Sequence, residues 1–389
     1  MNSLRHHKPL FGLYLLTLLF AFHYGLPLYA SSTYLGLSFS QPHVFLIYAI
    51  SSFFTILVSL RIAKYIRRYH TYKFTQGIVI AEIFITLAFA LTHNPFLIAL
   101  LFITRFILTV LIYISLNTFV EAFSPYSEVG KIRGVFLTIL NLGILMSPFF
   151  SGEILALSGY SALYIIAALF LIPFSFFLHK YTDQIPDPKY ERIEVIDAFN
   201  YARKDKNLNP VLFALFLLEC FYGVMVIYSP IYFVSIGISL PVYLTAILPI
   251  ALIPLVVLPY ELGVLADTKI GEKELLITGL LLMSVMMMVM ALVTSSSIFV
   301  WIIILTLSRI GASFVETMTF TYYFKKIESK DIGLITVFTN IRSVASIAVP
   351  IVGIMISPLV VTYPGLIFVL LSVMLLYGAL RVIPLKDTR

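Results

Sequence analysis

Seven ionisable side chains stand inside otherwise apolar runs of this 389-residue chain: Arg105, Arg309 and Arg342 against Glu82, Glu153, Glu219 and Glu316. A charge held away from water persists where it faces an opposite charge, a wet cavity or a ligand. Near-equal numbers of cations and anions point to pairing, and the same groups could hold a proton or grip a charged compound. Arg309 and Glu316 share a helix face but lie about 10 Å apart along the axis, so each needs another partner. Ser313 and Thr317 extend that polar stripe, and Arg342, with Thr339 and Ser346 beside it, is the expected ion-pair partner of Glu316. Arg105 is followed at four-residue steps by Thr109, Tyr113 and Asn117, a band turning slowly around its helix. His23 stands alone, either as a titrating group or as a hydrogen-bonded wall residue. For each charge the structural alternative is a pair that locks two helices together.

The elements that carry these groups follow from composition. The chain is 60% hydrophobic and 12% charged, with a mean hydropathy of +1.00. A water-soluble domain carries about a quarter charged residues. Twelve apolar runs are each long enough to cross a bilayer as a helix: near 9–31, 42–61, 74–92, 95–120, 132–158, 160–179, 210–233, 241–260, 274–294, 298–324, 332–357 and 363–383. Short alternating segments of the barrel type are absent. The first run has no small-residue cleavage site after it and is read as a span. Glu82 then lies in span 3, where a structural role is expected, and Glu153 lies near a wetted end of span 5.

Lys and Arg outside the spans cluster in alternate loops, such as Arg61–Lys73 and Lys180–Lys206. The intervening loops, "THNP" and "TSSSI" among them, carry none. The positive-inside rule places both termini in the cytoplasm of an inner or plasma membrane. The net charge of +7 needs only an anionic leaflet to explain it, not nucleic acid. The single cysteine, Cys220, excludes an internal disulfide.

Residues 180–209 form the long polar stretch, which divides a six-span half at 1–179 from another at 210–389. Within it Ile193, Ile196 and Phe199 suit a short amphipathic helix or a solvated linker. The halves align at an offset of about 201: Pro9 with Pro210, Gly36 with Gly237, and Pro148 with Pro350. Two parallel six-span repeats are expected to enclose a cavity.

The loop "GVLADTKIGEK" (Gly263 to Lys273) resembles the signature between spans 8 and 9 of the major facilitator superfamily. Gly263, Asp267, Lys269, Gly271 and Lys273 are in register with it. The first-half copy departs from the pattern, with Ile62 and Ile66 where glycine and aspartate belong. The resemblance implies an all-α fold of twelve spans and a secondary transporter working by alternating access. It also implies that spans 1, 4, 7 and 10 line the cavity, which gives Arg105, Tyr113, Asn117, Tyr222, Arg309 and His23 as candidate substrate contacts. Glycine at a helix end lets backbones approach, and Asp267 can then meet the N-terminus of span 5 near Lys131 and Arg133, a contact that would close the cytoplasmic side.

Two looser matches resemble the drug:proton antiporters. Arg105 in "LLFITRFILT" is similar to the arginine of their span 4 motif, without its following glutamine and glycine. "NLGILMSPFFSGE" keeps Gly143, Pro148 and Gly152 of their span 5 signature, with Ser147 and Ser151 replacing glycines. Gly143, Ser147 and Ser151 form a ridge for close packing, with Pro350 and Gly353 the corresponding pair in span 11.

The expected activity is proton-coupled export of small lipophilic or drug-like compounds by a monomer. Glu219 is read as the principal proton carrier and Glu316, beside Arg342, as the substrate or gating partner. Uptake of a small organic anion, gripped by Arg105 and Arg309, is the alternative. An integral-membrane enzyme is the remote one, because no nucleophile cluster, metal-ligand set or phosphate loop is present. No cofactor and no metal are expected.

Overall fold

The computed structural model describes the backbone of residues 2–59, 61–62, 68–123, 129–182, 195–268, 270–327 and 332–387. Every described element is helical, as apolar runs must be when no water is at hand for backbone N–H and C=O groups. Among the described residues ten helices are long and apolar enough to cross a membrane. One of these stretches, Val135–Thr182, is 48 residues long, about 72 Å and twice a bilayer. Gly159 breaks it with φ 73 and ψ −171, a conformation that a residue without Cβ adopts freely. Counting it as two, and adding the shorter apolar helix Leu366–Val382, is consistent with twelve spans.

The chain divides into two compact units, Met1–Glu191 and Arg192–Arg389. In the first, spans 1 to 4 are the helices Asn2–Leu28, Gln41–Ser59, Thr71–Leu91 and Pro95–Phe123. Spans 5 and 6 come from Val129–Leu169, divided at Gly159, with Leu171–Thr182. The second turn falls before Pro173, which has no N–H to continue the ladder. Residues 183–194 of the central stretch, Ile193 among them, lie outside the described residues, but Val195–Lys204 is a helix with Asp197 in its first turn and Arg203 and Lys204 in its last. That arrangement complements the helix dipole.

In the second unit, span 7 is Leu208–Ile227 and spans 9 to 12 are Glu272–Leu292, Ile298–Lys326, Ile332–Thr362 and Leu366–Val382. Span 8 differs from the single uninterrupted helix expected. It runs Leu240–Val242, a π turn Tyr243–Ile247, Leu248–Leu252 and Pro254–Thr268. The cause is proline: Pro241, Pro249, Pro254 and Pro259 each remove a backbone donor.

Small residues set the helix spacing. In the first unit Gly143, Ser147 and Ser151 lie against span 1: a Cβ on Gly143 would collide with that of Ala21, and one on Gly25 with the Ser147 hydroxyl. Ser151 Oγ donates to the Leu26 carbonyl at 2.6 Å. In the second unit spans 9 and 10 cross at two glycines, where a Cβ on Gly279 would lie 2.8 Å from the Gly311 carbonyl oxygen, and one on Gly311 equally close to that of Gly279. Side chains such as Phe96, Leu157 and Met355 cover the outside, as lipid requires.

Gly279→Ala therefore forces backbone apart and is expected to cost about 1–3 kcal/mol. Gly77→Ala, with nothing within 4 Å, should be neutral or mildly stabilising. Thermal melts of the two variants in detergent compare them; equal melting temperatures would contradict the close crossing.

Candidate functional site

In the first unit spans 1, 3, 4 and 6 converge on one carboxylate. Glu82 is fully buried, and its Oε1 accepts from Thr109 at 2.9 Å and Thr86 at 3.3 Å. It lies 3.1 Å from His23 Nε2 and 3.8 Å from Arg105 Nε. His23 Nδ1 stands 2.9 Å from the Ala167 carbonyl. A carbonyl only accepts, so Nδ1 carries a proton. The contact of Nε2 with a carboxyl oxygen then requires a second proton between them, on the imidazole or on Glu82. Deprotonation would set a lone pair against a carboxylate. Arg105 completes the cluster, its guanidinium 5.3 Å from the centroid of the Tyr164 ring.

The second unit distributes its charges differently. Arg342 Nε donates to both carboxylate oxygens of Glu219, at 3.2 and 3.1 Å. Glu316 accepts from the Tyr222 hydroxyl at 2.7 Å. Where a Glu316–Arg342 pair was expected, hydrogen bonds reach from span 7, Glu219 meeting Arg342 and Tyr222 meeting Glu316. Span 7 presents Glu219 and Tyr222 three residues apart, on one face, so both spans 10 and 11 are served from it. Arg309 is 1% exposed and lies over the Phe221 ring at 4.7 Å. Its Nε and Nη1 have no hydrogen-bond partner, and neither does the nearby Ser313 Oγ. A cation–π contact contributes about 0.5–2 kcal/mol, against several kcal/mol for taking a cation out of water.

Past the ends of the spans, the 2.6 Å bond from Lys325 Nζ to the buried Glu272 fixes spans 9 and 10. Asp387 Oδ1 accepts from the Lys273 N–H at 2.9 Å, capping span 9 beside Gly271, whose φ is 99. A cavity of about 470 Å³ is lined by Asp197, Tyr201, Asp205, Asn207, Lys326 and apolar neighbours.

Of the sequence-derived candidates, His23 and Arg105 meet through Glu82. Tyr113 stacks on Phe20 at 6.2 Å, and Asn117 donates to the Tyr113 carbonyl at 2.9 Å; neither touches the charge cluster. Gly263 lies in the helix Pro254–Thr268. The side chains of Asp267, Lys131 and Arg133, and Lys269 entirely, lie outside the described residues. Glu82, which the sequence reading gave a structural place on a peripheral span, holds the centre of this cluster. The available signal was the partnerless histidine on span 1. Asp387 was not anticipated.

Apolar helices in two repeated sets, with charges buried among them, define a polytopic membrane protein of the secondary-transporter type. The family model for the Major Facilitator Superfamily matches residues 13–350, and the chain belongs to that family. Among solved structures, the chain is similar to a bacterial homolog to the human lysosomal transporter Spinster. In that protein's inward-facing and occupied conformation the TM-score is 0.74 at 14% identity, over 96% of this chain and 95% of that one. In the unoccupied conformation it is 0.70 at 13% identity, over 97% and 95%. These likenesses show the fold. No curated protein matches the sequence.

The two ion pairs differ in burial and should differ in worth. Glu82→Ala leaves Arg105 buried without its carboxylate and is expected to cost about 3–5 kcal/mol. Glu219→Ala removes the partner of an arginine side chain that is 61% exposed and should cost no more than about 1 kcal/mol. Denaturation in micelles measures both; an equal loss would rule out the burial argument.

Proposed function

We propose that this family member is a proton-coupled exporter of small lipophilic compounds, working as a monomer by alternating access in the inner or plasma membrane, with both termini cytoplasmic. The observation that supports coupling is the proton required between His23 and Glu82. Its site is buried and faced by Arg105, Tyr164, Thr86 and Thr109, so proton entry and exit demand a rearrangement of the helices. When the proton sits on Glu82, Arg105 loses its counter-ion. When it leaves, the carboxylate recovers the arginine. A proton gradient thereby biases which arrangement of spans 1, 3, 4 and 6 is favoured.

In the second unit the proposed roles of the two carboxylates exchange relative to the sequence expectation. Glu219 was favoured because Arg342 was expected on Glu316. With Arg342 on Glu219, the carboxylate that can take a proton without orphaning a cation is Glu316, which then becomes the second coupling candidate. Aromatic faces beside both clusters, Phe20 and Tyr113 in one unit and Phe221 and Tyr222 in the other, suit an apolar substrate body. A second reading, uptake of a small organic anion, is favoured by the unpartnered Arg309.

Proteoliposomes loaded with a fluorescent lipophilic substrate test the coupling. Glu82→Gln and His23→Gln should keep downhill exchange but lose most of the accumulation driven by a pH gradient, and Glu316→Gln should lose more of it than Glu219→Gln. Full gradient response in Glu82→Gln would sink the assignment.

The orientation is tested separately. In a Cys220→Ser background, cysteines at Ser40 and Ser296 should react with an impermeant maleimide added to intact cells, while one at Asn207 should not; the reverse pattern would invert the proposed orientation.

A further inference from the structure

Four of the eight buried side-chain atoms left without a hydrogen bond among the described residues belong to one stripe of span 10: Thr306 Oγ1, Arg309 Nε and Nη1, and Ser313 Oγ. Spaced at three and four residues, they share a helix face. Folded proteins leave few such groups unpaired, and this concentration includes a permanent cation.

The internal repeat explains how the stripe arose. The helices Thr71–Leu91 and Glu272–Leu292 are both 21 residues long, so span 3 overlays span 9 at an offset of 201. Spans 4 and 10 are both 29 residues long and overlay at an offset of 203, which sets Arg105 and Thr109 each one residue from the places of Arg309 and Ser313. In the first unit Glu82 accepts a hydrogen bond from Thr109 and forms an ion pair with Arg105 at 3.8 Å, although Arg105 Nε makes no hydrogen bond. The residue at its place in span 9 is Met283, which is fully buried and packs on span 10 at Gly311. The second unit thus has an arginine and a hydroxyl near those places, and a methionine where the first unit has the acid. Glu316 does not substitute, being about 10 Å further along the helix and bonded by Tyr222.

We infer that Arg309, with Ser313 beside it, forms an anion-binding site in the second unit, and that the compound it takes is an apolar body bearing a carboxylate or phosphate. Guanidinium N–H groups answer either oxyanion. The apolar part is called for by the surroundings: the Phe221 ring lies under the guanidinium, and Leu305, Ala312 and Val315 are fully buried on the same helix. The inference rests on the carrier reading but on neither its direction nor its coupling to protons.

Equilibrium binding of tritiated 1-naphthoate to the purified full chain in detergent, without any gradient, tests it. Against this ligand, 1-naphthyl phosphate should compete at least tenfold better than 1-naphthylmethanol or 1-naphthylmethylamine, which share the apolar body. Arg309→Gln should erase the preference and Arg309→Lys should retain part of it. Met283→Glu, which restores the acid of the first unit, should abolish naphthoate binding while raising the melting temperature, and it keeps the test decisive if Arg309→Gln does not fold. Absence of saturable naphthoate binding, equal competition by the alcohol, or an unchanged preference in Met283→Glu would each overturn the site. Loss of gradient-driven transport in the coupling variants bears on none of these outcomes, so the two readings fail separately.

Discussion

A carboxylate without water must be answered by donors, and in the first unit that requirement organises the fold around Glu82. Its Oε1 draws Thr86 from its own span, Thr109 and Arg105 from span 4 and His23 from span 1, and His23 in turn holds the Ala167 carbonyl of span 6. Three helices are thereby registered on one atom, and a fourth through His23. Apolar packing cannot supply this register, because lipid competes for apolar faces as well as a neighbouring helix does. Where register is set without charge, backbone contact does it, as at Gly279 and Gly311.

The helical frame was legible from the sequence because its signal is redundant: each span is a run of some twenty apolar residues, and punctuation by glycine, proline and charge is strong. Ends observed at Leu91, Pro95, Leu292 and Ile298 lie within a few residues of those read from hydropathy. Span 8 was less legible. Its four prolines are visible in the sequence, but whether they kink a helix or divide it into pieces with a π turn depends on neighbours that satisfy the freed carbonyls.

Partnership between charges was the least legible layer. Arg342 and Glu316 sit on adjacent spans with suitable flanks, so their pairing was a sound guess, yet rotation of span 7 places Glu219 at the arginine and Tyr222 at Glu316. Hydropathy fixes where a helix lies far better than how it is rotated, and rotation decides which of two carboxylates an arginine meets. The partners of Glu82 were illegible for the same reason: its span was read as peripheral, and which neighbours its buried face meets depends on rotation.

The repeat adds an argument that neither unit supplies alone. Two copies of one six-span frame carry an arginine within one residue of the same place on the fourth helix, and they differ in whether an acid faces it. With Glu82 present, the arginine is answered internally, and its freedom depends on a proton. With Met283 in that place, Arg309 Nε and Nη1 have no hydrogen-bond partner and the guanidinium has only the Phe221 ring beneath it, a cost that the proposed anionic partner would relieve. A carrier gains from this asymmetry, because a ligand shifts a conformational equilibrium only by the difference in its affinity for the two states. On the proposed reading one half would respond to protons and the other to cargo, each through the corresponding helices of its own unit.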